Sequence, residues 1–297
     1  MKFGKVAQPE LIDFTLPKTH DKTVELLNKF KDQKSEELSV YVGCAKWNKT
    51  DLKGFYPRGT KDELAYYSKQ FNCIELNATF YRQFPPEQFE KWRNKTPQGF
   101  KFFPKLTQEI SHWKRLEGVS DAVNYYLEAA SKLEEKLGTI FLQMHANFSP
   151  KNFDRLQNFV ISWPKDVPLS VECRHTDWFT DPNISKEFYQ LLEENNIANT
   201  LVDTAGRRDM LHMRLTNNEA FIRYVGANHK SDYDRLDDWV SRLKKWITLG
   251  LRNIHFFVHQ NLEVESPLLA TYFIEKLNKE LNLSLTIPNE EQQQSLF

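Results

Sequence analysis

The chain has 297 residues, of which 40% are hydrophobic, enough to fill the core of one large domain or two ordinary ones. Lysine plus arginine and aspartate plus glutamate number 40 each, so the formal net charge is zero. This balance disfavours non-specific binding to nucleic acid or anionic membranes, because both need many uncompensated positive charges. No apolar stretch approaches the ~20 residues of a membrane-spanning helix, and the N-terminal sequence lacks the pattern of a signal peptide.

The three cysteines are odd in number and widely spaced, and no Cys-x-x-Cys pair occurs. This spacing argues against a disulfide framework and against a cysteine-based zinc site. Cys44, Cys73 and Cys173 all lie in strand-like runs, so we predict buried thiols in a reducing cytoplasm.

Eight runs of apolar, β-branched and aromatic residues predict strands along the chain. Most of the gaps between them carry a helical pattern with recognisable ends, such as the one that stops at Gly250. The predicted strands cover residues 39–45, 73–80, 100–106, 139–145, 169–175, 199–203, 220–226 and 253–259.

Strands that alternate with helices in this way predict an α/β protein, a (β/α)₈ TIM barrel. A doubly wound open sheet is the competing fold, but its Gly-x-Gly-x-x-Gly fingerprint is absent and glycine is scarce. We expect an N-terminal arm with a short helix over 1–38, the barrel over 39–283 and a polar C-terminal tail over 284–297.

The segment Phe-Asn-Cys-Ile-Glu-Leu-Asn-Ala-Thr-Phe-Tyr at 71–81 places a carboxylate and an amide on one face of a predicted strand. Side chains alternate between faces, so Glu75 and Asn77 would point into the barrel while Ile74 and Leu76 lie under helices. Inward side chains near the carboxyl ends of barrel strands form the active site. A carboxylate there costs several kcal/mol to desolvate unless it is paired, which predicts partners on other strands.

Those partners come from the ends of the other strands, and with Glu75 included the acidic and basic side chains are equal in number. Interleaved charges satisfy one another, whereas three like charges in one mouth would repel. The charged set comprises Glu75, Glu172 and Asp203 against Lys105, Arg174 and Arg223, and the remaining polar side chains are Gln143, His145 and His259.

The first functional hypothesis is a hydrolase or lyase acting on a small anionic substrate that bears phosphate or carboxylate. The catalytic candidates are Lys105, Glu172 and Glu75, since a desolvated lysine can act as acid, base or Schiff-base nucleophile and a glutamate can move protons. The substrate-binding candidates are Asn77, Tyr81, Gln143, Arg174, Asp203, Arg223 and Trp47. No cofactor or resident metal is expected, and the absence of a dinucleotide motif disfavours redox chemistry.

Two other hypotheses remain open from the residues alone. A nucleic-acid binder or nuclease would use the same basic mouth with aromatic stacking, although the zero net charge counts against it. A non-catalytic barrel would retain a small ligand without turnover. A scattered metal site is a further alternative, opposed by the neighbouring lysine and arginines; its ligands would come from Glu75, His145, Glu172, His175, Asp203 and His259.

Several segments together resemble the YecE-like family, catalogued as domain of unknown function 72, over roughly residues 39–277. They include VGCAKWN, YYSKQFNCIELNATFYRQFP, WRNKTPQGFKFFPKLTQEISH, VECRHTDWF, VDTAGRRD and FFVHQN. The resemblance implies a TIM barrel, and its motif positions are Glu75, Asn77, Tyr81, Lys105, Gln143, Glu172, Arg174 and Arg223.

The chain departs from the family at 144–146, where Met-His-Ala replaces the usual Leu-Pro-Pro. The family's barrel is similar to the sugar-isomerase and endonuclease IV-like barrels, which use divalent metals, so a metal-dependent phosphodiesterase belongs among the alternatives. The resemblance implies a fold and a site, but it names no reaction.

Overall fold

The computed structural model describes residues 4–31 and 37–289, and the strands found there all pair in parallel. They are β1 (Ser39–Cys44), β2 (Cys73–Leu76), β3 (Lys101–Pro104), β4 (Ile140–Gln143), β5 (Leu169–Glu172), β6 (Ala198–Asn199), β7 (Leu201–Thr204), β8 (Glu219–Gly226) and β9 (Asn253–Gln260).

Helices occupy most of the connections between these strands. They are α1 (Asp21–Phe30), α2 (Glu63–Gln70), α3 (Ala78–Tyr81), α4 (Pro86–Lys95), α5 (Ser120–Ser131), α6 (Phe153–Ser162), α7 (Asp177–Thr180), α8 (Pro182–Glu194), α9 (Ser231–Leu249) and α10 (Ser266–Leu281). Helix α9 ends at Gly250, whose positive φ of 124° favours a residue without a Cβ, as the sequence predicted. Among the described residues, no helix has both the length and the apolar character needed to cross a bilayer.

The strands form three parallel sheets, so the fold is α/β. Their strand orders are β1-β9-β8-β7, β2-β3 and β4-β5-β6. In the described part of the chain these ladders do not join into one closed sheet. The ladders therefore show parallel α/β sheets but not the single closed barrel expected from the sequence.

Two of the gaps between sheets are crossed by specific contacts. Asn72, which precedes β2, donates through Nδ2 to the carbonyl of Val40 (2.8 Å) and accepts from the amide of Val42 (3.0 Å), so its side chain ties β1 to β2. β1 also lies close to β2 at Gly43, where an added Cβ would meet the Cys73 carbonyl oxygen at 2.2 Å. Between β3 and β4, the amide of Leu106 donates to the carbonyl of Phe141 (3.0 Å).

Two predicted strands differ from the strands that the structure contains. The strand expected over 73–80 stops at Leu76, because the Asn77 amide donates to the Glu75 carbonyl and the Phe80 amide to the Asn77 carbonyl, both at 3.1 Å. The chain then turns into α3. The strand expected over 199–203 is divided at Thr200 into β6, which pairs with β5, and β7, which pairs with β8.

A small apolar cluster lies on the strand face that is turned away from the helices. It is separate from the larger core between strands and helices, and all its members are fully buried. Its members are Cys73, Phe103, Phe141, Ala198, Phe221 and Phe257. Cys73 and the other two cysteines are buried free thiols, as predicted.

We expect the Asn72→Ala substitution to destabilise the protein, because it leaves two backbone groups of β1 without their partner. The expected loss in the free energy of unfolding is about 1–3 kcal/mol, measured by urea denaturation. Asn94→Ala, at an exposed position of α4, serves as the control and should change stability little. Equal stabilities of the two variants would contradict a structural role for the Asn72 amide.

Candidate active site

The candidate site is a layer of polar side chains placed two residues beyond the apolar cluster on the same strands. Because strand side chains repeat every two residues, each polar residue projects from the same face as its apolar predecessor. The pairs are Cys73 and Glu75, Phe103 and Lys105, Phe141 and Gln143, Phe221 and Arg223, and Phe257 and His259. The layer therefore lies at the carboxyl ends of the strands, where parallel α/β folds place their active sites.

Arg223 on β8 is the centre of this layer. Its Nε and Nη2 donate to the two carboxylate oxygens of Glu75, each at 2.9 Å. Its Nη1 donates to Oε2 of Glu172 at 2.7 Å. The planar guanidinium suits this double role, because it presents several donors in a fixed fork.

Glu172 at the end of β5 is fully buried yet ionised. Arg174 Nε donates to its Oε1 at 2.5 Å, and Gln143 Nε2 lies 3.0 Å from each carboxylate oxygen. Burial raises the pKa of Glu172, but the guanidinium groups of Arg174 and Arg223 outweigh it and lower that pKa to about 2. Glu172 is therefore a permanent anion at neutral pH.

Glu75 is held in the same state by different neighbours. Asn77 Nδ2 donates to its Oε1 at 2.7 Å, and His259 Nε2 donates to its Oε2 at 2.9 Å. Burial again raises the pKa of Glu75, but Arg223 and then His259 lower it well below its usual range. Asn77 therefore reaches the carboxylate with its side chain, although it lies beyond the end of β2.

Lys105 is bound to this network through Gln143. An ionised carboxylate only accepts hydrogen bonds, so Gln143 must turn its Nε2 towards Glu172 and its Oε1 towards Lys105. Lys105 Nζ donates to that Oε1 at 2.7 Å and lies 4.0 Å from the centre of the Phe80 ring. Burial, then repulsion by Arg223 and Arg174, lowers the pKa of Lys105 to about 7 against the opposing pull of Glu172.

A cavity of about 500 Å³ opens onto this layer. The carboxylates of Glu75 and Glu172 lie beneath its wall, with exposures of 0% and 1%, and are covered by the groups that bind them. The acidic side chain that lines the cavity in the described part of the chain is Glu263, whereas the lining basic side chains are Lys5, Lys46, Lys105, Arg174, Arg223 and His259.

The structure does not bring Asp203 or Trp47 to this cavity. The register of β7 pairs Val202 with Arg223, and paired residues share a face, so Asp203 points to the opposite, helix-covered side. There it accepts from Arg235 Nη2 and Trp239 Nε1 of α9, both at 2.8 Å. Trp47 instead packs its ring against Trp92 of α4, 6.1 Å away between centroids.

The other predicted substrate-binding residues line the cavity or support it. Tyr81 lies at the rim with 64% of its surface exposed. Sequence reasoning placed His259 at a strand end and among possible metal ligands but not among the substrate-binding candidates, and it missed Lys46 and Lys5. The alternation from Phe257 was the available signal for His259, whereas the two lysines lie outside the strands and gave none. Within residues 4–31 and 37–289, no three histidine, cysteine or acidic side chains are grouped so as to hold a metal ion.

Comparison with known proteins identifies relatives for nearly the whole chain. The family model described as "Protein of unknown function DUF72" matches residues 41–294. The UPF0759 protein YecE of Escherichia coli K12 is 27% identical over 280 residues, covering 87% of this chain and all of YecE. The UPF0759 protein YunF of Bacillus subtilis 168 is 31% identical over 208 residues, covering 64% of this chain and 71% of YunF.

Solved structures of DUF72 family proteins share the fold. The protein EF0366 of Enterococcus faecalis V583 superposes with a TM-score of 0.65 at 20% identity, covering 84% of this chain and all of that one. The protein TM1631 of Thermotoga maritima MSB8 gives a TM-score of 0.63 at 24% identity, covering 82% of this chain and all of that one.

We expect Arg223→Met to be strongly destabilising, because it leaves two buried carboxylates without their shared cation. The free energy of unfolding should fall by about 3–5 kcal/mol in urea denaturation. Arg58→Met, at an exposed position, is the matched control. Adding Glu75→Gln to Arg223→Met should recover part of the loss; no recovery would argue against uncompensated charge as the cause.

We expect Lys105 to make stability depend on pH. Its folded pKa of about 7 lies below its ordinary value of 10.5, so between these values the unfolded chain binds the extra proton and stability rises with pH. Lys105→Met removes this dependence, so the variant's stability relative to the original protein should be highest below pH 7 and decline towards pH 10.5. Urea denaturation across this range measures the difference in stability between the two proteins. If that difference does not change with pH, the pKa of Lys105 is not lowered by folding.

Proposed function

Since the chain belongs to the DUF72 family of proteins of unknown function, we propose its activity from the site alone: an enzyme of the hydrolase or lyase type that acts on a small anionic substrate. The observation that carries this proposal is the predominance of positively charged side chains on the cavity wall. Basic side chains face the cavity, while the carboxylates that balance two of them lie underneath.

We also infer that the three sheets are segments of one (β/α)₈ barrel. The Asn72 side chain between β1 and β2 and the Leu106 hydrogen bond between β3 and β4 support this inference, because they link neighbouring sheets in the order a barrel requires. The inner apolar cluster supports it too, since six strands contribute one residue each. Barrel enzymes carry their active sites at the carboxyl ends of the strands.

The cationic wall favours a phosphate or carboxylate group on the substrate. Arg174, Lys46 and Lys5 lie around the cavity, and charges in a partly enclosed space are screened less than on an open surface. A cavity of about 500 Å³ suits a small molecule. Phosphate and carboxylate share the oxygen acceptors that arginine and lysine bind.

Lys105 is the group best suited to carry the chemistry. Its pKa of about 7 lets it gain or lose a proton near neutral pH. Glu172 and Glu75 are held ionised by their cations, so in this proposal they fix Arg223, Gln143 and Arg174 rather than carry protons. Asn77 and Tyr81 line the same cavity and would contact the substrate.

The proposal predicts that inorganic phosphate and citrate bind in the cavity. Calorimetric titration should show binding that weakens with added salt, because the attraction is electrostatic. Lys46→Met should weaken it by about two- to fivefold, the effect of one rim charge. Lys69→Met, at an exposed position of α2, is the control and should leave binding unchanged.

Turnover is tested with panels of phosphate esters and of hydroxy and oxo acids, followed by ³¹P and ¹H NMR. A substrate should be consumed by the original protein and about 10²–10⁴-fold more slowly by Lys105→Met, the usual contribution of a proton-transfer group. Anion binding without turnover of either panel would contradict an enzymatic role. Failure of phosphate and citrate to bind would contradict the anionic substrate.

A further inference from the structure

We infer that Lys105 is a nucleophile that forms an imine with the carbonyl group of a small substrate bearing a carboxylate or phosphate. This inference rests on the proposed function and narrows its substrate class to anionic aldehydes and ketones. The structural basis is the position of Nζ: at the cavity wall, bound to a neutral amide and flanked by aromatic rings.

Lys105 differs from most buried lysines in having no acidic partner. Its Nζ forms no ion pair with any carboxylate of residues 4–31 or 37–289, and the hydrogen bond it donates goes to the neutral Gln143. The rings of Phe80 and Phe141 lie 4.0 and 5.8 Å from it, measured to their centres. The face of the Phe80 ring attracts an ammonium, but a buried ammonium normally also has a carboxylate partner, and without that partner the neutral amine is favoured.

The charges of the surrounding layer lead to the same conclusion. Two buried carboxylates, Glu75 and Glu172, are bound by two guanidinium groups, Arg223 and Arg174, which stay protonated in proteins. A protonated Lys105 would add a third cation to two anions. The amine is favoured without its proton, and the lowered pKa of Lys105 agrees with this balance.

The hydrogen bond to Gln143 leaves the amine able to react. A neutral amine carries two N–H groups and one lone pair, and the amide oxygen of Gln143 accepts only an N–H. Since Gln143 is itself held against Glu172, the nitrogen is positioned without its lone pair being used. Desolvated lysines of this kind are the ones that form Schiff bases.

The proposed step balances with one proton supplied by the solvent. The Nζ lone pair attacks the carbonyl carbon, a C–N bond forms, and the carbonyl π electrons move to the oxygen. Transfer of a proton from nitrogen to that oxygen gives a neutral carbinolamine. The C–O bond then breaks as the oxygen takes up a second proton from the solvent, so water leaves and a protonated imine remains.

A bound anion would help this reaction in two ways. It supplies the negative charge that the layer lacks once the imine nitrogen becomes positive. It also anchors the substrate beside Lys105 through the basic side chains of the wall, such as Arg174 and Lys46. Neutral ketones lack both contributions and should react poorly.

The test is reductive trapping with sodium cyanoborohydride, which delivers hydride to an imine and makes the adduct permanent. The protein is incubated with pyruvate, with dihydroxyacetone phosphate or with acetone as the neutral probe, and the labelled lysine is located by peptide mass spectrometry. We expect one adduct, on Lys105, formed by an anionic probe at least about tenfold faster than by acetone. The preferred anionic probe shows whether carboxylate or phosphate is recognised.

Lys101 provides a matched control at the other end of β3, because burial also lowers its pKa. Lys101→Met should retain the adduct and Lys105→Met should lose it. Labelling spread over surface lysines, or equal rates with acetone, would overturn the inference, and the peptide map of the original protein decides this even if Lys105→Met does not fold. If phosphate binds but no adduct forms on Lys105, the imine is wrong while the anion-binding site stands.

Discussion

Arg223 and its two carboxylates hold the site together, and each of the three residues belongs to a different sheet. Arg223 lies on β8, Glu75 on β2 and Glu172 on β5, so the ion pairs connect three sheets that are separate in the part of the chain that the structure describes. Burying these charges is unfavourable unless every one is paired. The strands must therefore keep the separation and register that bring the guanidinium between both carboxylates.

The remaining geometry of the site follows from this arrangement. Once Glu172 is fixed, Gln143 has one possible orientation, and that orientation presents an amide oxygen to Lys105. The carboxylates lie below the cavity floor while cations face the cavity. A chain with zero net charge can thus carry a cavity lined mainly by basic side chains, because the balancing carboxylates Glu75 and Glu172 lie deeper.

Much of the fold and part of the site could be predicted from alternation within strands. Glu75, Lys105, Gln143 and Arg223 were expected on one face, and the structure brings them together above the apolar cluster. Asp203 was expected there as well. It lies on the helix side instead because its direction depends on the register between β7 and β8, which one strand cannot reveal.

The sequence by itself determined where the strand segments lie, apart from their ends, and which side chains alternate within them, because both follow from local periodicity. It also determined that charges at the strand ends had to be paired, since unpaired burial is costly. Only the tertiary structure decided the partners: which carboxylate meets Arg223, and that Lys105 faces an amide rather than an acid. These contacts join residues distant in the chain, and their geometry depends on how the sheets pack.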